Sequence, residues 1–312
     1  MRIAFLGTPD FALPSLRMLI SCGHDICVFT QPDRPKDRGH SLAMPPVKEL
    51  AIVYGLPVFQ FERIREPEGV AALSRFAPDL MVTAAFGQIL SAENLAIPKC
   101  GCINVHGSLL PKYRGAAPIQ WAVVNGEKVT GVTTMMTDIG LDSGDILMKR
   151  ETEIGPDETA GELYERLSLM GAELLRDTIA ALENGALTRT PQDEAEATKC
   201  GMIKKQMAAI DFSLPATRVH DLVRGMNPAP VAFTSLDGQP LKVYKTRLCE
   251  PSDEYESAEY GECVIADSRR GLFVKCADGL IEICELQFAG GKRMEAKAAL
   301  NSKKLSGRVL GR

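Results

Sequence analysis

Three sequence features that this 312-residue chain lacks restrict the functions it can have. No run approaches the about 18–20 uninterrupted apolar residues that a membrane-spanning helix requires. The turn after the first predicted strand, 7–10, lacks the Gly-x-Gly-x-x-Gly spacing of dinucleotide-binding proteins, and no Walker glycine–lysine loop occurs. We therefore predict neither a membrane protein nor a nicotinamide enzyme.

The cysteines also lack any zinc-type spacing. There are nine of them, an odd number, and none stands in a Cys-x-x-Cys pair. Most lie in apolar runs, so we expect buried, reduced thiols and no metal. The chain opens directly with the strand-like run 2–7, so we expect no targeting segment before the fold and a cytoplasmic location.

Hydrophobic residues make up 45% of the chain and charged residues 24%, a balance typical of a folded globular protein. Residues 1–199 contain 19 basic and 26 acidic side chains, whereas residues 200–312 contain 17 and 14. The last segment, 291–312, has seven basic residues and one acid. Such a tail indicates either a polyanionic partner or a solubilising end, and charge alone leaves both interpretations open.

The first half of the chain alternates short apolar runs with helical patterns. The runs are continuously apolar, which indicates strands buried on both faces, as in a parallel sheet covered by helices. We therefore predict a Rossmann-like α/β domain with an open, mostly parallel sheet that binds ligands at the carboxyl ends of its strands. The predicted strands are 2–7, 25–30, 79–85 and 102–106, and the predicted helices are 11–21, 45–54 and 69–76.

Proline and polar residues cluster between 186 and 205, where apolar periodicity is weak. We therefore place the first domain at 1–189, a linker at 190–208 and a second domain at 209–312. In the second domain, Asp237-Gly238 separates two strand-like runs as in a β-hairpin, and further short strands follow at close spacing. This pattern is typical of a small β-barrel.

Two polar side chains interrupt the apolar strand 102–106. Because side chains alternate along a strand, Asn104 and His106 lie on the same face, and Gly107 ends the strand beside them. An amide next to an imidazole suits acyl transfer, since one stabilises an oxyanion while the other moves a proton. The alternative is that both groups only satisfy nearby backbone. Ser108 has no nucleophile-elbow context, so no serine nucleophile is predicted.

A second polar cluster lies at 137–145, where glycines on both sides of Asp142 allow a tight bend. We hypothesise that the Asp142 carboxylate orients the His106 ring, as the third group of an activated base. Asp138 and Asp145 are explained more simply as turn caps. A metal site built from these carboxylates is weakly supported, because only one histidine accompanies them.

The proline-rich segment 31–46 is predicted to be a long loop without secondary structure. Loops of this length in compact domains are usually functional or disordered. The segment contains three basic residues and two acidic ones. The loop therefore either contacts phosphate or forms a solvated flap.

Several motifs resemble those of the methionyl-tRNA formyltransferase family, and the likeness covers essentially the whole chain. The Asn-x-His strand 104–106 and the Leu-Asp-x-Gly-Asp loop 141–145 resemble motifs shared by all folate-dependent formyltransferases. Segment 113–120 and the carboxyl-terminal domain narrow the resemblance to the family that acts on initiator tRNA. Further matches are 7–11, 31–35, 107–111, 210–213, 227–228 and 290–292.

The resemblance implies a formyl donor, 10-formyltetrahydrofolate, and an acceptor, the α-amino group of methionine on initiator methionyl-tRNA. It implies an OB-like barrel that contacts the tRNA, and a monomer that needs neither metal nor membrane. The implied catalytic residues are Asn104, His106 and Asp142. The implied folate contacts are Ser108, Leu109, Leu110 and Pro111, with the backbone of Phe86, Gly87, Gln88, Ile89 and Leu90. The expected tRNA contacts are Arg38 in the 31–46 loop and Lys292, Arg293, Lys303 and Lys304.

Three alternatives stay open. Another folate-dependent formyltransferase, or a formylfolate hydrolase, would share the first domain and differ in its acceptor. A non-catalytic RNA-binding protein would keep the α/β domain without its chemistry, which the presence of Asn104, His106 and Asp142 argues against. A nicotinamide oxidoreductase is disfavoured by the missing glycine turn.

Overall fold

A computed structural model of the chain describes residues 1–36, 41–250 and 255–312. The chain folds into two compact units, which we describe separately. The first comprises Met1–Gly115, Thr130–Thr152 and Tyr164–Cys200, and the second comprises Ala116–Val129, Glu153–Leu163 and Gly201–Arg312. Two short segments from the first 189 residues thus group with the carboxyl-terminal part. The predicted limits of the domains and linker, 1–189, 190–208 and 209–312, stay a prediction.

The strands in chain order are β1 (Arg2–Gly7), β2 (Asp25–Thr30), β3 (Arg34–Lys36), β4 (Ser41–Ala43), β5 (Val58–Gln60), β6 (Leu80–Ala84), β7 (Cys102–His106), β8 (Arg114–Gly115), β9 (Val129–Met136), β10 (Ile146–Glu153), β11 (Lys199–Cys200), β12 (Ala232–Leu236), β13 (Gln239–Leu248), β14 (Cys263–Asp267), β15 (Gly271–Cys276), β16 (Gly279–Phe288) and β17 (Met294–Glu295). The helices are α1 (Leu13–Ser21), α2 (Pro46–Val53), α3 (Pro67–Phe76), α4 (Ala92–Leu95), α5 (Pro118–Val124), α6 (Ala160–Glu183), α7 (Ala216–Gly225) and α8 (Ala296–Ala299). The strands and helices predicted for the first half are therefore confirmed.

The first unit is built around a seven-stranded sheet in the order β10-β9-β7-β6-β1-β2-β5. The strands from β7 to β5 pair in parallel, and β9 joins β7 antiparallel. The predicted Rossmann-like, mostly parallel sheet is confirmed. Strand β6 is buried along its whole length, because its apolar side chains are covered on both faces. The strand order reverses at β1, between β2 and β6, which is where open α/β sheets bind ligands at their carboxyl edge.

The second unit contains an antiparallel sheet in the order β12-β13-β16-β15-β14, with β17 beside β16. The predicted hairpin is confirmed: Asp237 and Gly238 connect β12 to β13 with φ of +52° and +72°, as a type I′ turn requires. Trp121 of α5 packs against the apolar core of this unit. Helix α7 approaches α5 closely, because Gly225 leaves no side chain where Val124 lies.

The loop predicted at 31–46 differs from expectation, since β3 and β4 pair antiparallel within it, with Arg34 opposite Ala43 and Pro35 opposite Leu42. A residue before proline favours an extended backbone, and Arg34 holds that position at the start of the ribbon. The predicted linker segment also takes part in pairing, because Thr190 bridges Ile146 and β11 pairs with β8. Among the helices within the described ranges, none has the length and apolarity needed to cross a membrane.

Candidate active site

Asn104 lies in β7 beside Thr83 of β6, its register partner in the parallel sheet. The Thr83 hydroxyl donates a hydrogen bond of 2.9 Å to Oδ1 of Asn104. Since Oδ1 accepts this bond, the –NH2 end of the amide is the donor that Asn104 offers to a ligand. Thr83 was missed in the sequence, although a hydroxyl within a continuously apolar strand is a signal that could have found it.

His106 ends β7, on the same strand face as Asn104. Its side chain is 6% exposed, and its Nε2 lies 3.0 Å from the carbonyl oxygen of Tyr113. Because a carbonyl oxygen only accepts, this bond places a proton on Nε2. Tyr113 has a φ of +59°, which a large side chain rarely adopts. The backbone is therefore strained at the residue that orients the imidazole.

Asp142 reaches the same site from the loop between β9 and β10. Its Oδ2 lies 3.8 Å from Nδ1 of His106 and accepts a 2.8 Å hydrogen bond from the Gly115 N–H. The first distance is within ion-pair range but too long for a hydrogen bond. Asp142 thus faces the ring without a hydrogen bond to it, whereas the Tyr113 carbonyl oxygen is the hydrogen-bond partner that orients the ring. The structure brings the three predicted residues together, and their catalytic roles stay a prediction.

A hydrogen-bonded cluster supports the Asp142 loop. Nε2 of Gln192 donates to the carbonyl oxygens of Asp142 and Gly144, at 2.8 Å in both cases. Arg114, only 3% exposed, donates from Nε to Oε1 of Gln192 at 3.0 Å and makes two further bonds to Glu194. These bonds from Arg114 lower the pKa of the Glu194 carboxyl and raise the pKa of the guanidinium. Gln192 and Glu194 were missed, because a polar, aperiodic segment predicts only a linker.

The residues predicted to line the folate site after β7 differ in their exposure. Ser108 and Leu110 are fully buried, whereas Leu109 and Pro111 are half-buried. The Ser108 hydroxyl donates to a backbone carbonyl of its own loop at 2.7 Å. The Leu110 N–H donates to the hydroxyl of Thr133 at 3.1 Å. These bonds shape the loop, and the folate role of the four residues stays a prediction.

The backbone predicted to hold the pterin, 86–90, follows β6. Phe86 and Leu90 are buried, and Gly87 and Ile89 are exposed. The side chain of Gln88 makes two hydrogen bonds of 2.7 Å to backbone groups, which hold the loop in place. A pocket of about 260 Å³ opens beside it, lined by Gln31, Glu62, Arg63, Arg65, Gly87, Gln88 and Ile89.

The residues predicted to contact tRNA in the second unit are all exposed: Lys292, Arg293, Lys303 and Lys304. The Arg293 guanidinium lies over the Tyr244 ring, 4.5 Å from its centroid, and the Lys303 ammonium lies 5.7 Å from the Phe288 centroid. Aromatic rings with adjacent cations are typical of nucleic-acid surfaces. Arg38 lies outside the described residues. All five assignments stay predictions.

All nine cysteines lie within the described ranges and are free, as expected, but burial holds for only four of them, since Cys22 is exposed and four others are half-buried. Burial raises the pKa of Cys27, Cys102, Cys263 and Cys276 to about 12, so these thiols stay protonated at neutral pH. Among the described residues, no group of three or more His, Cys, Asp or Glu side chains could hold a metal ion. The expectation that no metal takes part stays a prediction.

Comparison with known proteins decides the family. Residues 1–179 match the family model described as formyl transferase, and residues 202–304 match the model of the formyl transferase C-terminal domain. A methionyl-tRNA formyltransferase from Ruminiclostridium cellulolyticum is 50% identical over 314 residues, covering 100% of both chains. The chain belongs to the methionyl-tRNA formyltransferase family. The resemblance drawn from the sequence motifs is thus confirmed.

Solved structures of other proteins share the fold of this chain. An N-formyltransferase from Helicobacter canadensis, in complex with folinic acid and dTDP-3-aminofucose, aligns with a TM-score of 0.67 at 19% identity, over 90% of this chain and 98% of that chain. HypX from Aquifex aeolicus, in complex with tetrahydrofolic acid, aligns with a TM-score of 0.63 at 17% identity, over 96% of this chain and 47% of that chain. At such identities the likeness concerns the fold alone.

Proposed function

We propose that this protein transfers the formyl group of 10-formyltetrahydrofolate to the α-amino group of methionine on initiator methionyl-tRNA, for translation initiation. The observation that carries the proposal is the convergence of Asn104, His106 and Asp142 at the end of β7, in a chain of this family. The two folate-bound structures of the same fold support a folate donor. Initiation takes place in the cytoplasm, so we propose that location. We also propose that the second unit is an OB-like barrel and that the protein acts as a monomer.

The acceptor needs orientation more than a strong base. A free α-amino group has a pKa of about 7.7–8.0, and esterification of the carboxyl lowers it. Attack of this nitrogen on the formyl carbon forms the new C–N bond and moves negative charge onto the formyl oxygen. We assign the –NH2 group of Asn104 to hold that oxygen. Nδ1 of His106 takes the proton from the attacking amine, because Nε2 already carries one. As the oxyanion collapses, the bond between the formyl carbon and the folate nitrogen breaks, and His106 passes the proton to that departing nitrogen. The Asp142 charge, 3.8 Å from Nδ1, stabilises the imidazolium in between.

The decisive experiment offers one formyl donor and several acceptors in parallel. We expect 10-formyltetrahydrofolate to formylate charged initiator tRNA, with little transfer to a sugar-nucleotide amine or to glycinamide ribonucleotide. Uncharged initiator tRNA is the matched control, because it has the same phosphates and no α-amino group. Transfer to one of the small amines instead, or release of formate alone, would replace this proposal with another formyltransferase or a hydrolase.

The pocket beside loop 86–90 predicts how the donor binds. Folate ends in glutamate carboxylates. The charged residues that line the pocket are two basic ones, Arg63 and Arg65, and one acidic one, Glu62. Reversing the charge with Arg65→Glu is expected to raise KM for the donor by about 3–10-fold at unchanged kcat, the scale of one exposed charge contact. Steady-state kinetics with varied donor measure this. Arg75→Glu, at an exposed arginine of α3, is the control, and an equal KM for the two variants would contradict the assignment.

Binding of tRNA is expected to weaken steeply with salt, because cations that bind phosphates release counterions. Exchanging Lys303 and Lys304 for glutamine should lower the slope of log affinity against log salt by about one for each phosphate that the variant no longer binds. Filter binding or fluorescence titration from about 50 to 200 mM salt measures the slope. Lys99→Gln serves as the control, because that side chain is 82% exposed in the first unit and is not assigned to tRNA. A flat salt response would contradict this placement.

A further inference from the structure

The loop that presents Asp142 is not held in place by its own sequence alone. Asp142 has a φ of +50°, a left-handed conformation that aspartate adopts more readily than most residues but that still needs support. Two residues later, Gly144 passes so close to the Met136 carbonyl of β9 that there is no room for a Cβ. The loop therefore has little freedom on that side, and its carbonyl groups need partners of defined geometry.

Gln192 supplies those partners. Both of its amide hydrogens are used, one on the Asp142 carbonyl and one on the Gly144 carbonyl, at 2.8 Å each. Its Oε1 accepts from Nε of Arg114 at 3.0 Å. This orientation of the amide is the only one that satisfies all three groups, because a guanidinium only donates and a carbonyl oxygen only accepts.

Arg114 ties the same support to the Asp142 carboxylate. Its guanidinium is buried and bonded to both oxygens of Glu194, at 2.7 and 3.0 Å. The next residue, Gly115, donates its N–H to Oδ2 of Asp142 at 2.8 Å. The dipeptide 114–115 thus holds Asp142 at its carboxylate directly and at its backbone through Gln192. A ring of hydrogen bonds closes around the group that faces His106.

We propose that Gln192 is a positioning residue for formyl transfer, which fixes the Asp142 loop so that its carboxylate stays beside His106. This inference rests on the proposed function, because it assigns Gln192 an effect only through Asp142. Segment 190–200 then has a role in the reaction, although none of its side chains is predicted to contact the substrate. Displacing a catalytic group by about 1 Å can cost about 10²-fold in rate, so the expected effect is large.

The test is a double-mutant cycle on the full-length protein, with steady-state formyl transfer as the assay for kcat and KM. Gln192→Glu keeps the shape of the side chain and the acceptor for Arg114 but loses both donors. We expect kcat to fall about 10–100-fold, with KM for donor and tRNA within about twofold of the original values. In an Asp142→Asn background the same substitution should change the rate by no more than about threefold, since coupled residues are non-additive.

Two further variants keep the outcome clear. Gln192→Met adds no charge but removes both donors and also the acceptor for Arg114. It should lose at least as much rate as Gln192→Glu, so the test does not depend on whether Gln192→Glu folds well. Glu196→Gln, at an exposed position of the same segment, should leave the rate unchanged. Additive losses in the cycle, or near-normal rates for both Gln192 variants, would overturn the positioning role while leaving the proposed function intact. Absence of formyl transfer by the unmodified protein would instead overturn the proposed function, and the positioning role with it.

Discussion

His106→Gln is expected to lower kcat for formyl transfer by about 10²–10³-fold, with His106→Ala at least as impaired. Glutamine keeps an N–H donor near the position of Nε2, so the bond to the Tyr113 carbonyl oxygen can survive. It cannot exchange a proton at neutral pH, and that proton relay is the role we assign to the imidazole. Single-turnover transfer to charged initiator tRNA at saturating donor measures the loss.

The control for this prediction is His24→Gln, a histidine of the same unit that lies just before β2, next to the Met1 amino group. It is at the amino ends of the parallel strands, whereas His106 is at a carboxyl end. The control variant should retain full activity. Circular dichroism of each variant establishes that the fold is intact. If His106→Gln turned over within about threefold of the unmodified protein, the imidazole would not carry the proton, and the mechanism would need another acid–base group.

Arg224→Met is expected to lower the free energy of unfolding of the second unit by about 3–5 kcal/mol, because it leaves a buried carboxylate without its partner. The Arg224 side chain is 5% exposed and that of Asp221 is 13% exposed, with the two charged groups 2.7 Å apart. The guanidinium also donates to the backbone carbonyls of Gly155 and Glu158. Those carbonyls lie in segment Glu153–Leu163 of the second unit, so one side chain stabilises both α7 and that segment.

The single tryptophan, Trp121, makes this measurable, since it packs on the core of the same unit and donates to the Gly201 carbonyl at 2.9 Å. Urea unfolding followed by its fluorescence therefore reports on this unit. Arg218→Met, at an exposed position of the same helix, should cost no more than about 0.5 kcal/mol. Adding Asp221→Leu to Arg224→Met should recover part of the loss, because the unpaired charge is then gone. Equal costs for the two arginines would contradict a buried ion pair.

Much of the parallel sheet could be predicted from local patterns. Strands could be predicted because continuous apolar runs indicate burial on both faces. Strand 102–106 has the predicted ends, and the strand predicted at 79–85 is one residue shorter at each end in the structure. Strand β9 is not among the predicted elements, since glycine and three threonines dilute its hydrophobic signal although the strand is mostly buried. The pairing of β3 with β4 was also missed, because it depends on backbone groups and not on side-chain periodicity.

The candidate site, like the fold, could be predicted from the sequence only in part. Asn104 and His106 share a strand, so period-two alternation places them together without any tertiary information. Asp142 could be proposed from its glycine-flanked turn, but its 3.8 Å distance from the ring and its bond to Gly115 could not. Gln192 gave no signal at all. Its function depends on which carbonyl groups lie within reach, and no sequence pattern records that.

The amino-acid sequence alone determined the class of sheet, the strand that bears the amide and the imidazole, and the family motifs, because each depends on residues that are neighbours along the chain. Only the tertiary structure decided that the Tyr113 carbonyl oxygen orients the imidazole, that Thr83 sets the direction of the amide, and that a segment resembling a linker supports the Asp142 loop. These hydrogen bonds join residues 21–78 positions apart, with the exception of Tyr113, which lies seven positions from His106. Hydrogen bonds of this kind form wherever packing brings a donor to an acceptor, and packing is a property of the whole fold.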